Sequence, residues 1–336
     1  MDSNKLWIKK TIAHQETERI PYNFDFSPPA QAAVSLFFNT ENLEDRLNLP
    51  IRMSDVKSIK PIYADPEKYG DFIKDEFGVI WSTNKIDRGA PIGPCLREST
   101  LASYRFPNPA EEYRFEDLLD WCTDNTDHFT MICIGDLWER ATFMRGMTDL
   151  LIDTKINFQF AKNLLNKIAD YILQTMEILF DRFVFDAVAL SDDYGSQQGM
   201  LMAPTVWREL IKPCLSKIFA LAKKNDSYIF LHSCGNIKQI IPDLIDIGLD
   251  ILHPIQPEAM DPFTLKKEYG RDLTFCGGIG TQRLLPYGSA DEIHEQIERL
   301  KDVMGRGGGY ILEPGITIQA DVPLKNIITM IEAVLS

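Results

Sequence analysis

The sequence predicts an α/β fold, a (β/α)8 TIM barrel with N-terminal helical insertions, and assigns residues 1–336 to a single domain. Three observations predict it. Short apolar segments alternate with amphipathic helical stretches through the second half of the chain. The segments are apolar throughout, as strands of a parallel sheet buried on both faces are. Their number within 336 residues suits a barrel of roughly 250 residues carrying insertions. An open doubly wound sheet is the alternative.

Taken in order, RIPYNFDF near residue 20 reads as the first strand of the series. The region 28–120 is rich in proline and reads as helical insertions and loops. MICIGDLWERA is a strand running into a helix start. From about 155 to 182, Phe160, Leu164, Ile168, Ile172 and Met176 recur four apart and mark a long amphipathic helix. VFDAVALS is the next strand, ending in Asp192, Asp193, Tyr194 and Gly195. Val206, Leu210, Cys214, Ile218 and Leu221 follow at helical spacing. YIFLHSCG, DILHPIQ, LTFCGGIG and GYILEPG are the later strands. The helices between and after them are marked by Ile237–Leu244, by FTLKKEYG, by Ile293, Ile297, Leu300 and Met304, and by Leu324, Ile327, Ile331 and Val334. No repeat or linker divides the chain.

The composition is that of an ordinary globular chain, with 45% apolar, 10% aromatic and 25% charged residues. A formal charge of -14, from 49 acidic and 35 basic residues, repels phosphate backbones and anionic lipid. Nucleic acid and membrane are therefore excluded as main partners. No apolar run approaches the roughly 20 residues of a bilayer span, and the start MDSNKLWIKKTIAHQ lacks a secretion signal. The expected location is cytoplasmic. Six cysteines are too few for a disulfide scaffold, which fits a reducing compartment. Cys95, Cys122, Cys133 and Cys214 read as small packed side chains.

In both architectures reactive groups gather where strands end. Here those ends carry Asp25, Glu139 with Arg140, Asp192 with Asp193, His232 with Cys234, His253 with Gln256, Cys276 and Glu313. Side chains alternate along a strand with period two, so His232 and Cys234 point to one side. An imidazole and a thiol so placed can share a zinc ion, with arms of about 2.0 and 2.3 Å. The plainer alternative is a packed cysteine beside a hydrogen-bonded histidine. Cys276, before Gly277 and Gly278, serves equally as a ligand or as a small side chain at a tight turn. His253 lies in an apolar run, where a satisfied core histidine is commoner than a ligand, though it is kept as a candidate substrate contact. Glu139–Arg140 reads equally as a helix-start ion pair or a catalytic pair. Of Asp192 and Asp193, adjacent on a strand end, one faces the site as a base or hydrogen-bond acceptor and the other turns away. The glycine run Gly305–Gly309 and the turn at Gly277–Gly280 read as flexible turns rather than anion nests.

HSCGNI, IIPDLIDIGLDILHPIQP, LTFCGGIGTQ and GGYILEPG together resemble the uroporphyrinogen decarboxylase superfamily. More closely, they are similar to its corrinoid-dependent methyltransferase branch, the methylcobalamin:coenzyme M methyltransferases and their relatives in O-demethylation. The likeness covers residues 130–336 well and the first third loosely. It implies a (β/α)8 barrel with a funnel at the strand ends and a zinc site carried onto His232 and Cys234. Two departures stand out. RIPYNFDFSPP stands where the decarboxylases gather arginines, and Ile316 stands where coenzyme M methyltransferases have a further cysteine. The third ligand is then expected from Cys276 or Glu313.

The function expected is a zinc-dependent methyltransferase moving a methyl group between a separate corrinoid protein and a small-molecule acceptor, a thiol or a pterin. Methylcobalamin comes from outside, because the chain has no D-x-H-x-x-G corrinoid-ligating motif. Asp192, Asp193, Glu139 and Arg140 are the candidate catalytic residues, and Asp25, Tyr194, Gln197, His253 and Gln256 the candidate substrate contacts. Two alternatives stand beside this reading. One is a decarboxylase, a lyase acting on a porphyrinogen or another carboxylated substrate. The other is a non-catalytic tetrapyrrole-binding or partner-binding barrel. Assembly as a homodimer is left open.

Overall fold

A computed structural model describes residues 3–336. Its ten strands are β1 Ile51–Asp55, β2 Phe72–Lys74, β3 Ile80–Ser82, β4 Pro91–Gly93, β5 Phe129–Cys133, β6 Ala187–Ser191, β7 Tyr228–His232, β8 Ile251–His253, β9 Thr274–Ile279 and β10 Tyr310–Pro314. Seven of them form one sheet in the order β1-β5-β6-β7-β8-β9-β10, every pair parallel. Helices link the strands, and the sheet curls into the wall of a TIM-type barrel, the predicted class. The eighth place beside β10 is taken by residues 21–26, through parallel bridges Tyr22–Leu312 and Phe26–Ile318. That segment is no regular strand, because Pro21 has no N–H to give to a ladder.

Period-two alternation divides the strand side chains between two cores. Phe129, Met131, Ala187, Ala189, Phe230, Ile251, Cys276 and Ile311 pack together in the lumen. Their neighbours Ile132, Val188, Leu190, Ile229, Leu231, Leu252, Phe275 and Leu312 pack against the helices outside. Continuing the same alternation upward puts His232, His253 and Glu313 on the lumen face at the strand ends. The register confirms it for the pairs His232–His253 and Glu313–Gly278. The opposite end is closed by the helix Asn4–Ile12, whose Ile8 and Ile12 join the lumen cluster.

The long helix runs over Phe158–Arg182 and buries the expected stripe. It begins later than the spacing suggests, because a separate helix Met147–Ile156 precedes it. The larger difference lies in residues 28–120. Besides the helices Pro28–Phe38, Leu43–Arg46 and Pro66–Tyr69, this region holds β1, a full barrel strand, and the antiparallel sheet β2-β3-β4. The insertion over 72–93 is therefore a small sheet where helices and loops were expected. Arg140 ties this sheet to the barrel. Its guanidinium pairs with Asp75 at 2.8 Å and Asp136 at 3.1 Å, and Asp75 also accepts from the Trp81 indole at 2.9 Å. Among the described residues no helix is long and apolar enough to cross a membrane.

Candidate metal centre and mouth of the barrel

Two groups of potential ligands meet at the strand ends. In the first, His232 Nε2 lies 3.3 Å from Cys234 Sγ and 3.7 Å from Asp193 Oδ1. The three are half-buried, and their ligand atoms lie within 4.8 Å of one another. In the second, Cys276 Sγ lies 2.8 Å from Glu313 Oε2, and His253 Nε2 lies 3.9 Å from the same oxygen. This group is fully buried. A hydrogen bond of 2.9 Å between the Nδ1 atoms of His232 and His253 joins the two. The structure thus separates the pairs that the sequence assigned to one ion. His232–Cys234 gains Asp193, whereas Cys276–Glu313 gains His253.

Backbone geometry places the first group. Gly235 has φ +81, and a Cβ there would lie 2.4 Å from the carbonyl carbon of Gly195. The loops after β6 and β7 therefore pack backbone to backbone, a contact that only glycine permits. The Cys234 N–H donates to Asp193 Oδ1 at 2.7 Å, and the Gly235 N–H donates to Gln256 Oε1 at 3.3 Å. The first bond fixes the carboxylate beside the thiol, and the second ties the turn to the Gln256 amide.

Asp192 and Asp193 face opposite ways, as adjacent strand residues must. Asp192 is the one that turns away, which corrects its assignment as a candidate catalytic group. It accepts from the N–H groups of Leu137 and Glu139 and from the Tyr194 hydroxyl, at 3.2, 2.8 and 2.6 Å. Tyr194, fully buried, is likewise part of the wall, with its hydroxyl committed to Asp192. Arg140 is committed to Asp75 and Asp136, so it too holds the fold together at this end. Asp25 lies across the mouth, where its carboxylate accepts from the Thr317 hydroxyl.

The site is electrostatically crowded. Burial pushes the Glu139 carboxyl up to about 9, with the charges of Asp193, Asp136 and Asp192 adding to it. Burial also raises Asp192 to about 7 against the hydrogen bonds it accepts, and Glu313 to about 7 against those from Cys276 and Asn23. The Cys234 thiol is raised to about 12, by burial first and then by Asp193 and Glu139. Burial lowers both His232 and His253, so at neutral pH both rings are neutral, and the Nδ1–Nδ1 hydrogen bond uses the lone pair of one of them.

A cavity of about 430 Å³ opens onto Cys234. Gln197, Gln256, Gln282 and Gln319 line it together with Ile316 and Asp321, and no Lys or Arg is among its lining residues. Gln197 and Gln256 were expected there. Gln282, Gln319 and Asn23, which donates to Glu313 Oε1 at 2.8 Å, were not anticipated. Asn23 lies two residues before Asp25 on the first segment, and that spacing was the available signal.

Comparison with known proteins fits this arrangement. The sequence profile of the uroporphyrinogen decarboxylase (URO-D) family matches residues 110–336, well over half of the chain. The chain belongs to the uroporphyrinogen decarboxylase family. Within that family it is similar to a methylcobamide:CoM methyltransferase, MtaA, of Methanosarcina barkeri, at 29% identity over 148 residues. A second MtaA, from strain Fusaro / DSM 804, is 27% identical over the same length. The aligned stretch covers 44% of this chain and 41% of that MtaA, so it spans well under half the length of these curated relatives. A solved structure described as a methyltransferase from Methanosarcina mazei superposes with a TM-score of 0.70 at 16% identity, covering 99% of this chain and 98% of that one. The likeness establishes a shared fold for this member of the decarboxylase family.

Proposed function

We propose that this chain is a zinc-dependent methyltransferase that moves a methyl group between a corrinoid carried by a separate protein and a small acceptor bound at the barrel mouth. The observation that carries the proposal is the His232–Cys234–Asp193 group, 3.3 and 3.7 Å between ligand atoms, whose Cys234 lines a cavity of about 430 Å³. The partial likeness to MtaA supports the reaction class. The proposal treats residues 1–336 as one barrel unit and places the protein in the cytoplasm.

The donor set fits zinc. It offers nitrogen, sulfur and oxygen at separations that arms of about 2.0–2.3 Å can span, and His232, Cys234 and Asp193 would hold the ion. His232 is held by its Nδ1 contact with His253, so Nε2 is the atom presented, a common outer-shell arrangement for a ligating imidazole. With its thiol raised to about 12, Cys234 keeps its proton at neutral pH until a cation displaces it. When bound, zinc supplies a Lewis acid that keeps an incoming thiol as the nucleophilic thiolate. Glu139, raised to about 9, holds a proton at its carboxyl under the same conditions. Its carboxyl also accepts from the Asp193 backbone, which steadies the turn.

The cavity is at the small end of the range for bound organic ligands, which suits the acceptor; the corrinoid then lies across the rim. The four glutamine amides donate and accept hydrogen bonds and complement the carboxamide edge of a corrinoid. No Lys or Arg lines the cavity, and Arg88 is the basic residue that acts on His232 and Cys234. A polycarboxylate thus meets little counter-charge, which favours methyl transfer over decarboxylation. Methylcobalamin and a thiol mixed with the purified protein should show the cobalamin spectrum shift as methyl is lost. Cys234→Ala should abolish that shift together with a zinc equivalent. Unchanged transfer in this variant overturns the proposal.

A further inference from the structure

We propose that His253, Cys276 and Glu313 form a second seat for a divalent d-block cation of the zinc class, set in the lumen beneath the first. Three observations point there. The ligand atoms of the three residues lie within 4.8 Å of one another, and the set again combines imidazole, thiol and carboxylate, which selects zinc-like ions over magnesium or calcium. His253 is 8% exposed, and its Nε2 is buried with no hydrogen-bond partner although it faces Glu313 and Cys276. A buried polar atom without a partner is costly, and an ion at this point satisfies it. Finally, Asn23 Nδ2 donates to Glu313 Oε1 at 2.8 Å and leaves Oε2 turned to the other two donors, as a supporting outer-shell residue does.

The plainer account is a simple hydrogen bond from the Cys276 thiol to Glu313. It satisfies those two groups and leaves His253 Nε2 with no partner within hydrogen-bond distance, only the Glu313 carboxylate at 3.9 Å and a backbone contact of the ring with Pro314. Binding forms the Sγ–metal, Nε2–metal and Oε2–metal bonds and releases the Cys276 proton, with any proton on Glu313, to the buffer; no electron moves. The seat is also coupled to its neighbour. The Nδ1–Nδ1 hydrogen bond between His232 and His253 holds one proton, so the two neutral rings cannot both present a bare Nε2. Filling both seats removes one further proton, and the second ion binds more weakly than the first.

The test removes the first seat and asks what remains, so it stands or falls apart from the proposed methyl transfer. Metal-free protein carrying Cys234→Ala and Asp193→Asn is titrated with cobalt(II) alone. It should bind one equivalent and develop a near-ultraviolet thiolate-to-cobalt band. Adding Cys276→Ser should remove both the band and the equivalent. A double variant with the wild-type circular dichroism spectrum that binds no cobalt overturns the proposal, as does a band that survives Cys276→Ser. Should the double variant fail to fold, Cys276→Ser in the otherwise unchanged chain reads the same point. It should lower the cobalt stoichiometry by one equivalent, and an unchanged stoichiometry overturns the proposal.

Discussion

At the closed end of the barrel, Asp186 lies beneath the helix Asn4–Ile12 and pairs with Lys5 at 3.1 Å and Lys9 at 2.8 Å. At the open end, Glu139 is surrounded by Asp136, Asp192 and Asp193, and the buried Glu313 neighbours a thiol and an amide. Burial raises the carboxyl pKa at both ends. At the closed end, hydrogen bonds from Lys9, Thr130 and Lys5 outweigh that effect and bring Asp186 below its ordinary range; at the open end the balance goes the other way. The closed end pairs its carboxylate with two lysines. At the open end Arg140 pairs with Asp136 and leaves Glu139 and Glu313 without a cationic partner among the described residues, an arrangement common at functional sites. This is the division between stability face and active face expected of such barrels.

The sharpest way to break the contrast is Gly235→Ala. The added Cβ must push apart the loops that bring Asp193 to Cys234, and displacements of about 1 Å at a reactive centre cost about 10²-fold in rate. Methyl-transfer kcat/KM should fall by about that factor in the protein that folds, and the strain at φ +81 should lower the melting temperature of the metal-free protein as well. A variant of near-normal activity would show that the glycine contact does not position the centre. Ile8→Ala should cost stability alone. Ile8 is fully buried in the lumen floor, and truncation of such a residue costs about 2–5 kcal/mol. Denaturant unfolding should record that loss with kcat/KM unchanged in the folded protein.

The smallest effect is expected from Asp186→Asn, about 1 kcal/mol at neutral pH after allowing for solvent screening of the half-exposed lysines. Its pH dependence is the useful part. Folding lowers the Asp186 pKa, so the stability it contributes is complete above the ordinary aspartate value of about 3.9 and is lost as the pH falls below it. Melting curves of the native chain and the variant should differ at pH 7 and converge in acid. Curves that stay parallel down to pH 2 would remove Asp186 from the account of acid stability.

The parts of this architecture legible in the sequence are those with strong periodicity. The helices Phe158–Arg182 and Ala290–Met304 and the strands β5 to β10 carry clear patterns, and the pairing of His232 with Cys234 follows from the two-residue repeat. β1 was missed because Ile51–Asp55 reads IRMSD. Only its first two residues are buried, so it has no apolar run to announce it. The small sheet of β2, β3 and β4 has strands of three residues, too short for any repeat. At the mouth, sequence spacing showed that one of Asp192 and Asp193 must turn away. The choice was not visible, because it is made by the Leu137 and Glu139 amides and the Tyr194 hydroxyl. The separation of Cys276 and Glu313 from Cys234 depends on how deep each strand sits in the barrel, which no local pattern encodes.

The glutamines around the cavity have a consequence for how the rim behaves as conditions change. An amide has no proton to lose or gain in the physiological range, and its hydrogen bonds are little affected by dissolved salt, unlike long-range attraction between full charges. On a chain with a formal charge of -14, this gives the entrance a collar of neutral amides with the one lining carboxylate of Asp321. A guest gripped there experiences the same handholds in dilute or concentrated medium, while the acidic exterior around it responds to every change of ionic strength.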